Sequence, residues 1–406
     1  MRERWSTARF GDFATQAANR HRVAPEAQYV IAGVLNRGAG MFIRDTIRGS
    51  DTGYPALTRL EPDQLIMRKL TAWEGPITVV PDEFSGYFVS SEFPTFDLDR
   101  SRVDPGFVRL ICQQPSLWDA MRLRVKGTVE RRKRLNPTDL LRIAVRLPPL
   151  SEQRSMVSIL THCDVTIARN RDAQIAMKRL RSALLAELLT AGDGWVDTTI
   201  GDVAELQVGP AFTSKDFTDD PASDRLVRGT NVTPGQLRWA DTKRWPLAMR
   251  APYAKYSLRV GDIVVAMDAS FTSEGMLKAA PVRPWDLPAL LVQRVARLRA
   301  ISIDPQLLLY IVSSPAMADD LRRSQTGAYA PHISGRDISS YTFQMPDFRE
   351  QQRIVEILNR VDAMQHAVAT EASVLEPLRR GLLEDLLSGN HEIPVSYETL
   401  AEAASA

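Results

Sequence analysis

Leu147-Pro148-Pro149-Leu150-Ser151-Glu152-Gln153 returns 198 residues downstream as Met345-Pro346-Asp347-Phe348-Arg349-Glu350-Gln351. The offset holds without a gap to Leu189 and Leu387, and 13 of the 43 aligned positions are identical. Among them are Pro148/Pro346, Glu152/Glu350, Gln153/Gln351, Leu160/Leu358, Asp164/Asp362 and Arg181/Arg379. Chance would leave only a few matches, so the chain contains an internal duplication, and a duplication governs any reading of the fold. The segments ahead of these copies echo each other too: Trp5, Gly11 and Asp12 correspond to Trp195, Gly201 and Asp202, 190 residues apart. The order is globular unit, helical unit, globular unit, helical unit, with about eight extra residues in the second globular unit.

Both repeated segments read as long helices. Each follows a proline, which disfavours helix in the residue before it. Neither holds an internal glycine or proline until Pro377 and Gly381, where a kink is expected. Asp347 and Glu350 have the spacing of an N-terminal capping box, and Ser151 is the corresponding cap of the first copy. In the second copy the apolar seam runs Ile354, Leu358, Val361, Gln365, Val368, Ala372, Leu375, in alternating steps of four and three. Its counterpart is Met156, Leu160, Cys163, Ile167, Asn170, Gln174, Met177. About 40 helical residues at 1.5 Å each span roughly 60 Å. A single apolar stripe of that length needs a partner, and the copies are the natural partners of each other. An antiparallel pair makes a pseudo-two-fold ruler with a globular unit at each end. The alternative is two unrelated amphipathic helices, each lying on its own domain's core.

At 406 residues the chain fits two or three domains. An apolar fraction of 44% and a charged fraction of 25% are those of a globular protein. No run of 18 apolar residues implies a membrane span, and the charged start at Arg2, Glu3 and Arg4 is not a secretory signal. Only Cys112 and Cys163 are present, which points to a reducing cytoplasm rather than a disulfide framework. The net charge of +2 does not announce a nucleic-acid binder. Arginine greatly outnumbers lysine, which suits bidentate contacts to phosphate and guanine but equally follows from a GC-rich genome.

The pattern opening each long helix, P-[PD]-x-x-E-Q-x-x-[IVM]-V-x-[IL]-L, and its L-R-x-x-L-L-x-[ED]-L-L close resemble the repeated regions of the specificity subunits of type I restriction-modification systems. The resemblance reaches into the globular units. Gly327-Ala-Tyr-Ala-Pro-His332-Ile-Ser-Gly-Arg336 is similar to the close of a target-recognition domain; Gly261 to Asp268, Gln293-Arg294-Val295, Ala211 to Phe217 and Arg228 to Val232 are similar to motifs within one. Lys69-Leu-Thr-Ala-Trp73-Glu-Gly75, Ser91 to Phe96 and Gly127-Thr128 resemble a different subclass in the first unit. Only the residues after about 390 fall outside the resemblance. It implies a mixed α/β fold with two globular recognition domains separated by two long antiparallel coiled-coil helices. The implied ranges are 1–146 and 194–344 for the recognition domains, 147–193 and 345–389 for the spacer helices, and 390–406 for a loose tail. It further implies a chain that reads one half of a split, asymmetric double-stranded DNA site with each domain. The helices would set the gap and dock two methyltransferase subunits that carry S-adenosylmethionine, with motor-nuclease subunits joining for restriction.

A reader of this kind should lack catalytic motifs. The sequence has no G-x-x-x-x-G-K-[ST], no dinucleotide glycine pattern after Gly38-Ala-Gly40, and no glutamate followed two residues later by lysine. Asn136-Pro137-Thr138-Asp139 lacks the second proline and the aromatic of an amino-methyltransferase motif and reads as a turn and helix start. Five scattered histidines and two distant cysteines offer no metal-ligand spacing. No catalytic residue, metal or cofactor of this chain's own is expected.

The densest cationic stretch carries the candidate DNA contacts of the first domain: Arg122, Arg124, Lys126, Gly127, Thr128, Arg131, Arg132, Lys133 and Arg134, opposed only by Glu130. Such clusters neutralise phosphate, and glycine lets the backbone approach a strand closely; a solvated loop is the bland alternative. Lys69 joins this set. In the second domain the candidates are Lys215, Arg228, Asn231, Gln325, Tyr329, His332 and Arg336, with Gln293-Arg294 equally readable as structural. Two rival readings stay open at this point. One is the same architecture serving a methylation-only or related phage-defence complex. The other, from a different class, is a coiled-coil scaffold that binds proteins and has no salt-sensitive DNA affinity.

Overall fold

The structure is a computed structural model and describes residues 5–127, 132–190, 192–268, 270–273, 275–324 and 332–390. The chain divides into two compact units, one of 1–170 with 371–406, the other of 171–370. No helix of the described residues is long and apolar enough to cross a membrane.

The first unit runs β1 (Ser6–Arg9), β2 (Ala14–Gln16), β3 (Arg20–Arg22), β4 (Gln28–Val34), β5 (Met41–Arg48), β6 (Ala56–Arg59), β7 (Leu65–Met67), β8 (Ile77–Val79), β9 (Phe88–Val89) and β10 (Thr95–Leu98). Short helices follow, α1 (Pro105–Cys112), α2 (Pro115–Arg122) and α3 (Pro137–Leu141), then β11 (Ala144–Leu147) and the long α4 (Leu150–Leu188). The central sheet has the order β2-β10-β7-β8. Strands β7 and β8 are buried at every position, as expected of short apolar runs covered on both faces. Phe10, Leu65, Met67, Ile77, Phe96, Phe107 and Leu117 make its core. A second sheet, β3-β6-β9-β4-β5, packs around Ala32, Val34, Leu60 and Val89.

The second unit runs β12 (Val196–Thr199), α5 (Ile200–Val203), β13 (Ala204–Val208), β14 (Asp224–Val227), β15 (Val232–Thr233), β16 (Gln236–Leu237), β17 (Arg244–Trp245), β18 (Ile263–Ala266), β19 (Ala279–Pro281), β20 (Ala289–Leu291) and β21 (Val295–Ala300). Then come α6 (Pro305–Val312), α7 (Pro315–Ser324), α8 (Gly335–Ser339), β22 (Thr342–Met345) and the long α9 (Phe348–Ser388). Its central sheet, β13-β21-β18-β19, repeats the strand order of the first. The closing pair repeats as well, with Ser6 opposite Leu147 in one unit and Val196 opposite Met345 in the other. The added sheets differ. In place of the five-stranded sheet the second unit has β17-β14-β20, partly parallel, and a small β15-β16 pair.

The repeated Glu-Gln dipeptide explains how each long helix is fixed to its domain. Gln153, fully buried, donates from Nε2 to the carbonyls of Pro148 (2.9 Å) and Arg102 (3.0 Å) and accepts the Asp104 N–H at 2.8 Å. Gln351 does the same to the carbonyl of Pro346 (3.0 Å) and the Asp304 N–H (2.9 Å). Asp104 and Asp304 are the N-caps of α1 and α6, each followed by a proline at the first helical position. A glutamine is needed because the site wants two donors and an acceptor without charge.

The seam residues are the covered face of the long helices. Met156, Leu160, Ile167, Ile354, Leu358 and Val361 are buried; Cys163, Met177, Val368 and Leu375 are half-buried between exposed neighbours. Within the first unit the helical segments run antiparallel: Arg379 Nε meets Asp164 at 2.5 Å while Asn170 Nδ2 meets Glu371 at 3.1 Å. Within the second unit the equivalent ion pair forms with the copies exchanged, Arg181 Nε to Asp362 at 2.7 Å, and Leu185 is buried in one cluster with Ile354 and Leu358.

One local expectation is corrected. Ser151 is not a cap: α4 begins at Leu150, so Ser151 lies in its first turn, and the Gln153 N–H reaches back to the Pro149 carbonyl at 3.0 Å. Asp347 does cap α9, accepting the Glu350 N–H at 2.9 Å. Helix α9 continues through Pro377 as one element.

Candidate nucleic-acid interface

In the first unit the cationic run starts on the last turn of α2 and ends before α3. Arg122 is exposed, 4.0 Å from Asp119. Arg124 is half-buried and donates to the Ala120 carbonyl at 2.9 Å, so it fixes the helix end. Lys126 and Arg134 exchange both backbone hydrogen bonds at 2.9 Å, which closes the intervening loop as a hairpin. Gly127 has φ +134, and a Cβ there would stand 3.2 Å from the Lys133 Cα, so the hairpin's close approach requires glycine. Arg132 is exposed and Lys133 half-buried; Thr128 and Arg131 lie outside the described residues.

The hairpin is tied to the end of β7. The Leu135 N–H donates to the Lys69 carbonyl (3.0 Å), and the Thr71 N–H to the Lys133 carbonyl (3.1 Å). Side chains follow: Glu92 Oε1 sits 3.3 Å from Arg134 and 3.9 Å from Lys69. Lys126 Nζ lies 3.0 Å from Asp139 on α3. The hydrogen bond from Lys126 holds the Asp139 carboxyl below its ordinary value, more than burial raises it. Sequence reasoning thus gathers a real cluster here: Lys69, Lys126, Gly127, Lys133 and Arg134 meet at one corner. It missed Glu92, because a lone glutamate in a loop gives no sign of the cations that will surround it.

The second unit assembles its candidates less closely. His332 is exposed and forms an antiparallel bridge with Asp268, while the buried Ile333 donates to the Met267 carbonyl at 3.0 Å. Arg336 is exposed on α8, whose cap Ser334 exchanges hydrogen bonds with Asp337. Lys215 is exposed on the turn Ser214–Asp216. Arg228 is bound to Asp241, to its carbonyl and its carboxylate, each at 2.7 Å, and this keeps the Asp241 carboxyl low. Asn231, only 2% exposed, accepts the Arg228 N–H and donates to the Arg238 carbonyl. Its side chain is consumed in bracing the 228–241 loop, a structural task rather than the base contact its sequence position invites. No hydrogen bond or ion pair among the described residues joins Lys215, Arg228 or Asn231 to His332 or Arg336. Gln325 and Tyr329 lie outside the described residues.

Not all arginines are free for DNA. Arg297, buried, pairs with Glu205 at 2.7 Å, and Arg299 grips Asp262 at 2.6 and 2.8 Å. Arg294, by contrast, is left exposed at the start of β21 with φ +68 and lies 3.5 Å from Asp268. A side-chain-bearing residue in the left-handed region stores strain, and such strain collects at functional positions.

Comparison with known proteins agrees with this architecture. Residues 192–374 match the type I restriction modification DNA specificity domain. The chain is 24% identical over 265 residues to the MjaVIII specificity subunit of Methanocaldococcus jannaschii, covering 61% of this chain and 62% of that protein. It is 28% identical over 184 residues to the EcoAI specificity subunit of Escherichia coli, covering 44% and 31%. The matched regions thus span under two thirds of each relative. Among solved structures, a chain of a type I R-M system assembly has a TM-score of 0.60 at 18% identity, with 94% of this chain and 97% of that one covered. The HsdS subunit of Thermoanaerobacter tengcongensis gives 0.52 at 18%, covering 95% and 97%. These structural likenesses speak for the fold. With the domain match and the duplicated frame, they make the chain similar, in its second half by sequence and throughout by fold, to the specificity subunits of type I restriction-modification systems.

Proposed function

We propose that this chain is a non-catalytic reader of double-stranded DNA, in which each globular part recognises one half of a split, asymmetric site. The observation that carries the reading is one frame built twice with different added sheets. Two identical readers would suit a palindrome, whereas two divergent ones suit an asymmetric target. The recognition domains are 1–146 and 194–344, and the helical segments 147–193 and 345–389 fix the gap between the half-sites; 390–406 is a tail. The same helices dock two methyltransferase subunits that bring S-adenosylmethionine, and motor-nuclease subunits complete the restriction complex in the cytoplasm. On DNA, Arg122, Lys126, Arg132 and Lys215 serve phosphate, which positions the domain without specifying sequence.

The test is a genome-wide map of N6-methyladenine in the host, with and without this gene. Loss of one motif made of two short specified blocks around a fixed gap is the expected result. An unchanged map refutes the reading. A second measurement addresses the hairpin: alanine at Arg131, Arg132, Lys133 and Arg134 should weaken DNA binding of the assembled complex. The slope of log K against log salt should also fall, by roughly 0.9 for each phosphate no longer neutralised. An unchanged slope removes the hairpin from the interface.

A further inference from the structure

Part of the corner that holds the hairpin in the first unit is built again in the second. The Lys69 N–H donates to the Glu92 carbonyl at 2.8 Å, and the Met267 N–H to the Arg294 carbonyl at 2.9 Å. The Leu135 N–H donates to the Lys69 carbonyl at 3.0 Å, and the Ile333 N–H to the Met267 carbonyl at 3.0 Å. Leu70 bridges Arg134 as Asp268 bridges His332. The strands agree with this equivalence, Thr95 facing Ile66 and Arg297 facing Val264. Three positions therefore correspond between the units: Leu70 with Asp268, Glu92 with Arg294, and Arg134 with His332.

Each corner presents one arginine beside one carboxylate, but from different positions. In the first unit Arg134, 56% exposed, stands 3.3 Å from Glu92; in the second Arg294, 59% exposed, stands 3.5 Å from Asp268. We propose that Arg134 and Arg294 are the base-reading arginines of the two recognition domains, each held by its carboxylate to take a guanine in the major groove. The proposal rests on the DNA-reading function above and names residues for it.

The chemistry favours a base over a phosphate. A carboxylate next to the cation repels a phosphate and lowers the site's value as a phosphate anchor. The same carboxylate orients a long, flexible side chain in advance, so less freedom is lost when DNA arrives. The guanidinium has five N–H donors in a fixed fork, and one ion pair leaves an edge free for O6 and N7 of guanine. Asp268 is itself half-exposed and matches the amino group that the paired cytosine offers beside that guanine. Glu92 is more enclosed; its Oε2 is buried with no hydrogen bond among the described residues, so it braces rather than reads. The strained backbone at Arg294 fits a residue placed for what its side chain touches.

The experiment is methylation mapping in cells that express this chain with its methyltransferase subunit, wild type or carrying R134K, R294K or D268N. Lysine keeps the charge and loses the fork. With R294K, one G·C pair in one block should become degenerate, its discrimination falling roughly 10- to 100-fold, while the other block stays intact. R134K should do the same in the other block only. D268N, which leaves Arg294 in place, should loosen the same pair as R294K, to a smaller degree. Thermal melting of the complexes reports that the variants are folded. Folded lysine variants that keep both blocks strict, or that lose methylation evenly at all sites without degeneracy, overturn the assignment. A wild-type map without any split motif instead overturns the DNA-reading function, and the arginine assignment with it.

Discussion

Replacing Gln153 with leucine tests the claim that the repeated Glu-Gln is an anchor rather than a surface motif. Leucine has nearly the volume of glutamine, so the substitution leaves little cavity and isolates the hydrogen bonds. It strips a partner from the Asp104 N–H and from the carbonyls of Arg102 and Pro148. A buried group left unsatisfied costs about 1–3 kcal/mol, and donors fare worse than carbonyls. The sum for one donor and two acceptors is about 3 kcal/mol. For a unit of this size the midpoint of thermal unfolding should fall by roughly 6–12 °C. Q351L removes one donor's partner and one carbonyl's, so it should cost about 2 kcal/mol. Q352L, at the exposed neighbour, should cost almost nothing. Urea unfolding of the purified chain gives all three values. A Q153L cost below about 1 kcal/mol, or a Q352L cost equal to it, would refute the anchor.

Two further outcomes follow from charges in the first unit. D139N should destabilise the α2–α3 region by about 1 kcal/mol at pH 7, because Lys126 loses its partner. The Asp139 carboxyl is depressed when folded, so its contribution is complete above the ordinary aspartate value of 3.8 and vanishes as pH falls through the lowered one. Stability curves of wild type and D139N should therefore converge in acid, and parallel curves would contradict the pairing. D164R should place two arginines together and cost about 1 kcal/mol, with the double swap D164R/R379D regaining part of it in a double-mutant cycle. No coupling between the two sites would argue against the antiparallel pairing of these helix segments.

What could be read from the sequence was whatever depends on repetition and period. The seam from Ile354 to Leu375 marks the covered face because burial on a helix must recur every three or four residues. Asn136-Pro137 marks a helix start because proline suits the first turn. The cationic corner was half legible: clustering in sequence placed Lys126 and Arg134 together, since a hairpin joins near neighbours. Glu92 and Arg294 were not, because strands 30 residues apart bring them in, and a positive φ leaves no mark in composition. Asn231 misled for a related reason, as an asparagine that contacts bases and one that braces a turn look alike until burial is known. Ser151 misled by two positions: the helix opens on Leu150, which puts its cap position at Pro149 and leaves the serine inside.

On the proposed function, the way the corner is built would let two copies of one frame read different sequences. The hydrogen bonds the two corners share run from a backbone N–H to a backbone carbonyl: Lys69 to Glu92, Met267 to Arg294, Leu135 to Lys69, Ile333 to Met267. Such contacts are indifferent to the side chains of the residues that make them. An arginine can therefore move from the third position to the second, and its carboxylate from the second to the first, while the corner stays folded. Stability comes from elsewhere, from the buried cores and from Gln153 and Gln351, whose geometry admits no such exchange. Separation of that kind would keep the cost of a specificity change low, since a substitution at Leu70 or Arg134 leaves the shared backbone contacts of the frame in place.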